Sequence, residues 1–438
     1  MSVKNQFSLL MTSRFLPLFL TQFLGAFNDN FFKSALAMLI TFRLADGAGL
    51  DSRIMVNVAA GVFILPFFLF SAPASDLADR YDRRLMMMIG DAGSILGLGV
   101  ILAALSSPRP SLGWICAGAV ISSCMAALTE PALRASVTDL VSEEDYVRSS
   151  GLLQLASAAK YLLAPAAAGF LMPLIGPRGL LLLDAGTCMV TVACTVMVRH
   201  ALATETPQRT APHQGEDRSI MAGWLTVSSH PALRSLVVLM TLATLAIGFV
   251  QVLLKPILLP TVSTAEMGVV ETVAATGMLM GAALVTAWKS AQPTTLLAAG
   301  LAGTGAAMSL LPVGPGAWWV AVCGFLIFAC LPLSQAGAEV LVRTRVDNAQ
   351  QARTWGTISL VTQTGYLVAY LCSGALVDHV LQPLLEPGQS LSTSLGAVIG
   401  TGPGRGAALL VGLMGAVLAL VALAVRLQRR RIASPQSH

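Results

Sequence analysis

Gly25-Ala-Phe-Asn28-Asp29-Asn30-Phe-Phe-Lys33 stands in the middle of an otherwise apolar run from Phe15 to Leu44. The run is long enough to cross a bilayer, where an unpaired charge costs several kcal/mol. Four residues apart on a helix, the Asp29 carboxylate and the Lys33 ammonium fall on one face. Two charges kept at that depth point to a polar cavity inside a membrane protein, and to the place where it works.

The whole chain agrees with this local reading. Its 438 residues are 55% hydrophobic and only 11% charged, with a mean hydropathy of +0.74. A soluble domain carries roughly a quarter charged residues, so this balance belongs in a bilayer. Apolar stretches of spanning length are expected at 15–44, 54–74, 85–106, 112–131, 150–174, 179–198, 233–254, 266–288, 294–313, 317–338, 355–377 and 406–425. The first is too long for a signal-peptide core and lacks a small-residue cleavage site, so it is expected to remain as a helix.

An even number of spans puts both termini on one side. Of the 27 lysines and arginines, nineteen fall on that side, including Arg80, Arg83, Arg84 and the run Arg429-Arg430-Arg431. Only five (Arg43, Arg53, Arg109, Arg178 and Arg405) fall on the other. The positive-inside rule then predicts cytoplasmic termini. The net charge of +5 is a signature of topology and leaves no basis for nucleic-acid binding. The longest polar interruption, Arg199 to His230, reads as a cytoplasmic linker between six spans and six more.

A shift of 205 residues lays the end of span four and all of span five on spans ten and eleven without a gap. Val137, Val141, Arg148 and Gly151 then match Val342, Val346, Arg353 and Gly356. Tyr161-Leu162-x-Ala164 matches Tyr366-Leu367-x-Ala369, and Gly169 matches Gly374. A same-direction repeat of six-span halves is the architecture of major-facilitator transporters.

Between spans two and three stands Ser75-Asp-Leu-Ala-Asp79-Arg80-Tyr-Asp-Arg83-Arg84. It resembles the major-facilitator loop signature G-x-L-A-D-R-x-G-R-R, with Ser75 and Asp82 in place of glycine. The resemblance implies that Asp79, Arg80, Arg83 and Arg84 form a cytoplasmic gate. Ala164-Pro165-Ala-Ala-Ala-Gly169 in span five resembles the exporter motif G-P-x-x-x-G, which also reads as a plain packing kink.

Asn28, Asp29, Asn30 and Lys33 are expected to handle substrate or a coupling proton, or else to form an ion pair that fixes helix packing. Lys160 and Tyr161, about ten residues into span five, extend this polar set. Asp91, Asp184, Glu130 and Glu271 are nearer to span ends and are expected to be helix-end or interfacial acids. The seven cysteines all lie in apolar runs and are expected to be buried free thiols. No residues have the spacing of a metal site, a nucleotide loop or a nucleophile elbow, so neither catalysis nor a cofactor is expected. Gly400-Thr-Gly-Pro-Gly-Arg-Gly406 is glycine-rich, but it precedes a span on the outer side, where no nucleotide is expected.

Thr21-Gln-Phe-Leu-Gly-Ala-Phe-Asn28-Asp29-Asn30-Phe-Phe-Lys33, with Ile64-Leu-Pro-Phe-Phe-Leu-Phe-Ser71 and Asp76-Leu-Ala-Asp79, is similar to bacterial lysophospholipid transporters. Those tend to carry Pro-x-Lys-Tyr after span four, whereas this chain has Glu130-Pro-Ala-Leu-Arg134. The later spans, with Arg353 and Gly402-Pro-Gly-Arg-Gly406, resemble the drug, macrolide and siderophore exporters of the same superfamily. The expected molecule is an all-α, twelve-helix membrane protein of two pseudo-symmetric six-helix bundles. Its parts are an N-terminal bundle over 1–198, a linker over 199–232 and a C-terminal bundle over 233–438. It would be a monomer in the bacterial inner membrane, moving an amphiphile by alternating access. Lysophospholipid is the leading cargo, and proton-driven efflux of hydrophobic drugs or a siderophore is the alternative. Its partners would be that substrate, membrane lipids and, for the alternative, protons.

Overall fold

A computed structural model of the chain describes residues 8–12, 15–39, 62–107 (except 63–64, 67, 72 and 79), 111–203, 222–258, 262–288, 291–314, 316–386 and 396–427. Among the described residues the regular structure is helical, with no strand. Ten elements carry the description. They are α1 (Phe15–Leu39), α2 (Arg83–Ser106), α3 (Leu112–Leu140), α4 (Tyr146–Ala203) and α5 (Pro231–Leu258), followed by α6 (Thr264–Ala287), α7 (Pro293–Leu310), α8 (Ala317–Arg343), α9 (Gln351–Leu376) and α10 (Arg405–Leu427). Eight helices among these residues are long and apolar enough to cross a membrane.

Local sequence explains where several of them start and stop. Asp82, where the loop signature has glycine, accepts a hydrogen bond from the Arg84 N–H at 3.0 Å and caps α2. Ser263-Thr-Ala-Glu266 forms a reciprocal capping box on α6. The predicted break between spans five and six falls at Gly176, where φ is 66° and α4 divides into two arms. Pro165 does not end the helix, which runs through it. Spans four and ten run further than their apolar stretches, α3 to Leu140 and α8 to Arg343. Their last turns are polar and are held by side chains described below.

The chain divides into two compact units. One comprises residues 1–143, 156–226 and 346–360, the other 144–155, 227–345 and 361–438. In the first, α2 lies along α3; in the second, α7 lies along both α8 and α10, and α6 along α8. Lipid tails are as apolar as leucine, so hydrophobic transfer does not drive these helices together. Close packing does, and it depends on glycine. A Cβ on Gly97 would sit 2.6 Å from the Gly118 carbonyl oxygen, and one on Gly118 equally close to that of Gly97. Gly305 and Gly415 stand in the same reciprocal relation between α7 and α10.

In the first unit, Ala164 and Ala168 of the exporter-like motif make room for the fully buried Phe31 of α1, with Leu180 closing the cluster. In the second, α9 winds into a π-helical turn at Val377–Leu381. The Gln382 side chain then donates to the Gly402 carbonyl at 2.9 Å and accepts from the Gly406 N–H at 3.0 Å. Gly400, Gly402 and Gly404 all have φ between 79° and 125°. Backbone conformation accounts for this glycine-rich stretch.

Replacing Gly97 by valine should destabilise the first unit by about 1–3 kcal/mol through forced separation of α2 and α3. Gly99, with open space around its Cα, should accept valine at little cost. Reversible unfolding in mixed micelles measures both; equal behaviour of the two variants would contradict the close contact.

Candidate functional site

Asn28 is buried and its neighbours are specific. Its Nδ2 donates to the Cys188 sulfur at 3.3 Å, and its Oδ1 accepts from the Thr187 hydroxyl at 2.7 Å. Both partners lie on the second arm of α4, so these bonds set how α1 sits against it. Asp29, the next residue, is half-buried. It lies within electrostatic reach of Asp91 on α2 and Asp184 on α4. Asn30 turns back to its own helix and donates to the Ala26 carbonyl at 3.2 Å. Thus Asn28 and Asp29 belong to one polar cluster, while Asn30 caps a backbone group instead. Lys33, Lys160 and Tyr161 occupy helical backbone in α1 and α4, but their side chains lie outside the described residues.

Asp91 and Asp184 correct the expectation of helix-end acids. They are only 9% and 3% exposed. The Asp91 Oδ1 accepts from the Thr129 hydroxyl at 3.3 Å, whereas its Oδ2 and the Oδ1 of Asp184 have no hydrogen-bond partner. A count along α2 carried the signal. Asp91 is eight residues beyond Arg83, about 12 Å along the axis, which is too deep for an interface. Glu130 pairs with Arg134 at 3.0 Å within α3, and Glu271 is exposed within α6; neither stands at a helix end. The cysteines are all unpaired, but only Cys188, Cys194 and Cys323 are buried, and Cys372 is exposed.

The loop signature forms a second cluster. Asp79 lies outside the described residues. Arg80 pairs with Asp76 at 2.6 Å, one turn away. Arg83 is 2% exposed and gathers three acceptors through one nitrogen: the Ala135 carbonyl at 2.8 Å, Asp139 at 3.1 Å and the Asn348 side chain at 2.8 Å. Its other terminal nitrogen donates to the Asn348 carbonyl. Asn348 also donates to Asp139 at 2.7 Å and accepts from Thr138 at 2.9 Å. Arg84 is half-buried and does not share in this set of bonds. Beside it, the Arg134 guanidinium lies 5.3 Å from the centre of the buried Trp355 ring. The first unit therefore ties the end of α3 to the segment that begins α9.

The second unit contains the converse arrangement. Glu339 and Arg343 at the end of α8 hold the start of α4: Gln154 donates to Glu339 at 3.1 Å, and Arg343 donates to Ser150 and, at 3.4 Å, to Glu339. The 205-residue shift places α3 on α8 and the start of α4 on the start of α9, so the two units make their ties with matching elements but with different residues, Asp139 falling on Thr344 and Glu339 on Arg134. Asp139, Asn348, Glu339 and Gln154 were not singled out from sequence. The matched register does not single them out, because each falls on an unlike residue in the other half.

Residues 18–370 match the sequence pattern of the Major Facilitator Superfamily. The chain belongs to that superfamily. Its members among solved structures have the same fold at low sequence identity. A FucP transporter in the outward conformation superposes with a TM-score of 0.69 at 16% identity, over 94% of this chain and 99% of that one. The human organic anion transporter MFSD10 (TETRAN) gives 0.68 at 13%, over 94% and 99%. A bacterial homologue of the iron transporter ferroportin gives 0.65 at 16%, over 92% and 99%. Among curated proteins, Macrolide efflux protein A of Streptococcus pyogenes is 27% identical over 165 residues, 37% of this chain. That match spans 40% of the relative's length. The protein is a multi-pass membrane member of that superfamily, and the curated protein it resembles is an efflux protein.

Arg83→Ala should release the start of α9, because Asn348 and Asp139 lose their shared donor. Hydrogen exchange at residues 346–351 should accelerate at least about tenfold, or ~1.4 kcal/mol of local opening. Arg84→Ala should leave it unchanged. Equal protection in both variants would refute the assignment.

Proposed function

We propose that this superfamily member is a secondary transporter that exports a hydrophobic, drug-sized amphiphile across the bacterial inner membrane by alternating access. The similarity to a macrolide efflux protein carries the choice of export. Twelve spans in two six-helix bundles, 1–198 and 233–438 joined by a 199–232 linker, would supply the moving halves, with both termini cytoplasmic. Asn28 and Asp29, together with Lys33, Lys160 and Tyr161, would offer polar contacts to the cargo, and surrounding Leu, Phe and Met side chains would take its apolar body. Asp79, Arg80, Arg83 and Arg84 would hold the cytoplasmic end closed. The Arg83 ties to Asp139 and Asn348 support that role. With no nucleotide loop in its sequence, the chain would draw on an ion gradient.

A second reading has its own observation. The opening Thr21 to Lys33 stretch resembles lysophospholipid transporters, which would make the cargo a single-chain phospholipid moved inward. The two readings share an amphiphilic cargo and differ in direction and coupling.

Everted membrane vesicles separate them. Uptake of labelled erythromycin that collapses with a proton uncoupler is expected, as is a loss of about tenfold or more in Asp29→Asn, equivalent to ~1.4 kcal/mol in the transport barrier. Uncoupler-insensitive movement of labelled lysophosphatidylethanolamine, without erythromycin transport, would replace the exporter reading with the lipid one.

A further inference from the structure

We propose that the second unit carries a binding pocket for a hydrophobic organic cation, where the ends of α5 and α9 meet the glycine-rich entry to α10. A cavity of about 420 Å³ opens there, lined by residues of that unit. Its size falls within the range of pockets that hold drug-sized molecules. Pro256, Val377, Leu385, Pro403 and Ala407 give it apolar walls, and Asp378 and Glu386 supply its charge.

Backbone contacts fix the shape of this cavity. Asp378 sits in the wide π-helical turn Val377–Leu381, a kind of turn that recurs at binding sites. Gln382, next to that turn, ties Gly402 and Gly406 to the end of α9. A Cβ on Gly404 would sit 2.5 Å from the Pro256 carbonyl oxygen, so the glycine stretch lies directly against the end of α5. A Cβ on Gly406 would meet the Gln382 backbone nitrogen at 2.8 Å. The walls are therefore in place before a ligand arrives, which lowers the ordering cost of binding.

Charge selects what enters. Asp378 and Glu386 are exposed, and among the described residues neither has an ion pair. From 354 to 404 the sequence has no lysine or arginine, and His379 is its one basic side chain. Two cations adjoin lining residues in sequence. Lys255 precedes Pro256 and is exposed, while Arg405 follows Gly404 and donates to the Pro312 carbonyl at 3.3 Å. An inorganic cation asks for roughly six oxygen ligands. Apolar walls do not supply them, and the Gln382 side chain and Gly402 carbonyl already bond each other. Among the described residues no three His, Cys, Asp or Glu side chains are grouped to hold a metal ion. A cationic head on an apolar body satisfies both the carboxylates and the walls.

The proposal concerns binding and holds whichever way a cargo moves. Equilibrium binding of radiolabelled tetraphenylphosphonium to the whole chain in phosphatidylcholine nanodiscs tests it, with empty discs subtracted. Saturable binding is expected, weakened about tenfold in the Asp378→Asn/Glu386→Gln double variant. Glu271→Gln, altering an exposed acid of α6, should leave it unchanged. Tetraphenylborate, of the same shape and opposite charge, should not compete. Competition by phosphatidylethanolamine built into the discs would support the site and make a lipid headgroup its source of cation. Competition by erythromycin alone would support it with a free organic amine as that source. No saturable binding, or equal affinity in wild type and the double variant, would overturn the proposal. So would loss of binding in Asp29→Asn with the double variant unaffected, which would move the ligand to the α1 cluster. Those outcomes leave the transporter reading in place, whereas intact, variant-sensitive binding without erythromycin transport would reject only the exporter reading.

Discussion

Hydrocarbon offers no hydrogen-bond partner, and this constraint arranges nearly everything polar in the molecule. Side chains that would be solvated in a soluble protein must find one another across helices. Among the described residues Asn28 does so with Thr187 and Cys188, and at the polar helix ends Arg83 meets Asp139 and Asn348 while Glu339 meets Gln154 and Arg343. Each cluster joins residues more than fifty positions apart in sequence, so each fixes tertiary structure. The same solvent explains the glycines at Gly97, Gly118, Gly305 and Gly415. Where burial of leucine gains nothing over lipid, helices hold together by backbone proximity.

The two arginine-centred clusters have a common logic. In one unit the polar last turn of α3 holds the beginning of α9; in the other, that of α8 holds the beginning of α4. Both turns extend beyond the apolar part of their spans, and both place an acid where it meets a buried guanidinium. Buried ion pairs of this kind are weak glue, because desolvation offsets most of the attraction. They discriminate strongly between a made and a broken contact.

The architecture was largely legible in the residues, for a physical reason. Twenty-residue apolar runs report directly on the thickness of a bilayer, and they located the membrane-length helices among the described residues. Helix ends were less legible, since α3 and α8 continue through polar turns whose partners lie far away in sequence. The site was half legible. Asn28 and Asp29 were evident because charge in an apolar run is conspicuous. Asp91 and Asp184 were misjudged because depth depends on the true span boundary. The choice of cargo followed the first hundred residues, while the curated relative favours an exporter.

The central claim is that Asp29 faces a wet interior and not the lipid. Cysteine placed at position 29 in a background without other cysteines tests this with two thiol reagents, one water-soluble and membrane-impermeant, the other confined to lipid. Reaction with the water-soluble reagent, slowed by erythromycin, is the expected outcome. Reaction with the lipid-confined reagent alone would show that the charged segment lies against the bilayer, and the transport site would have to be sought elsewhere.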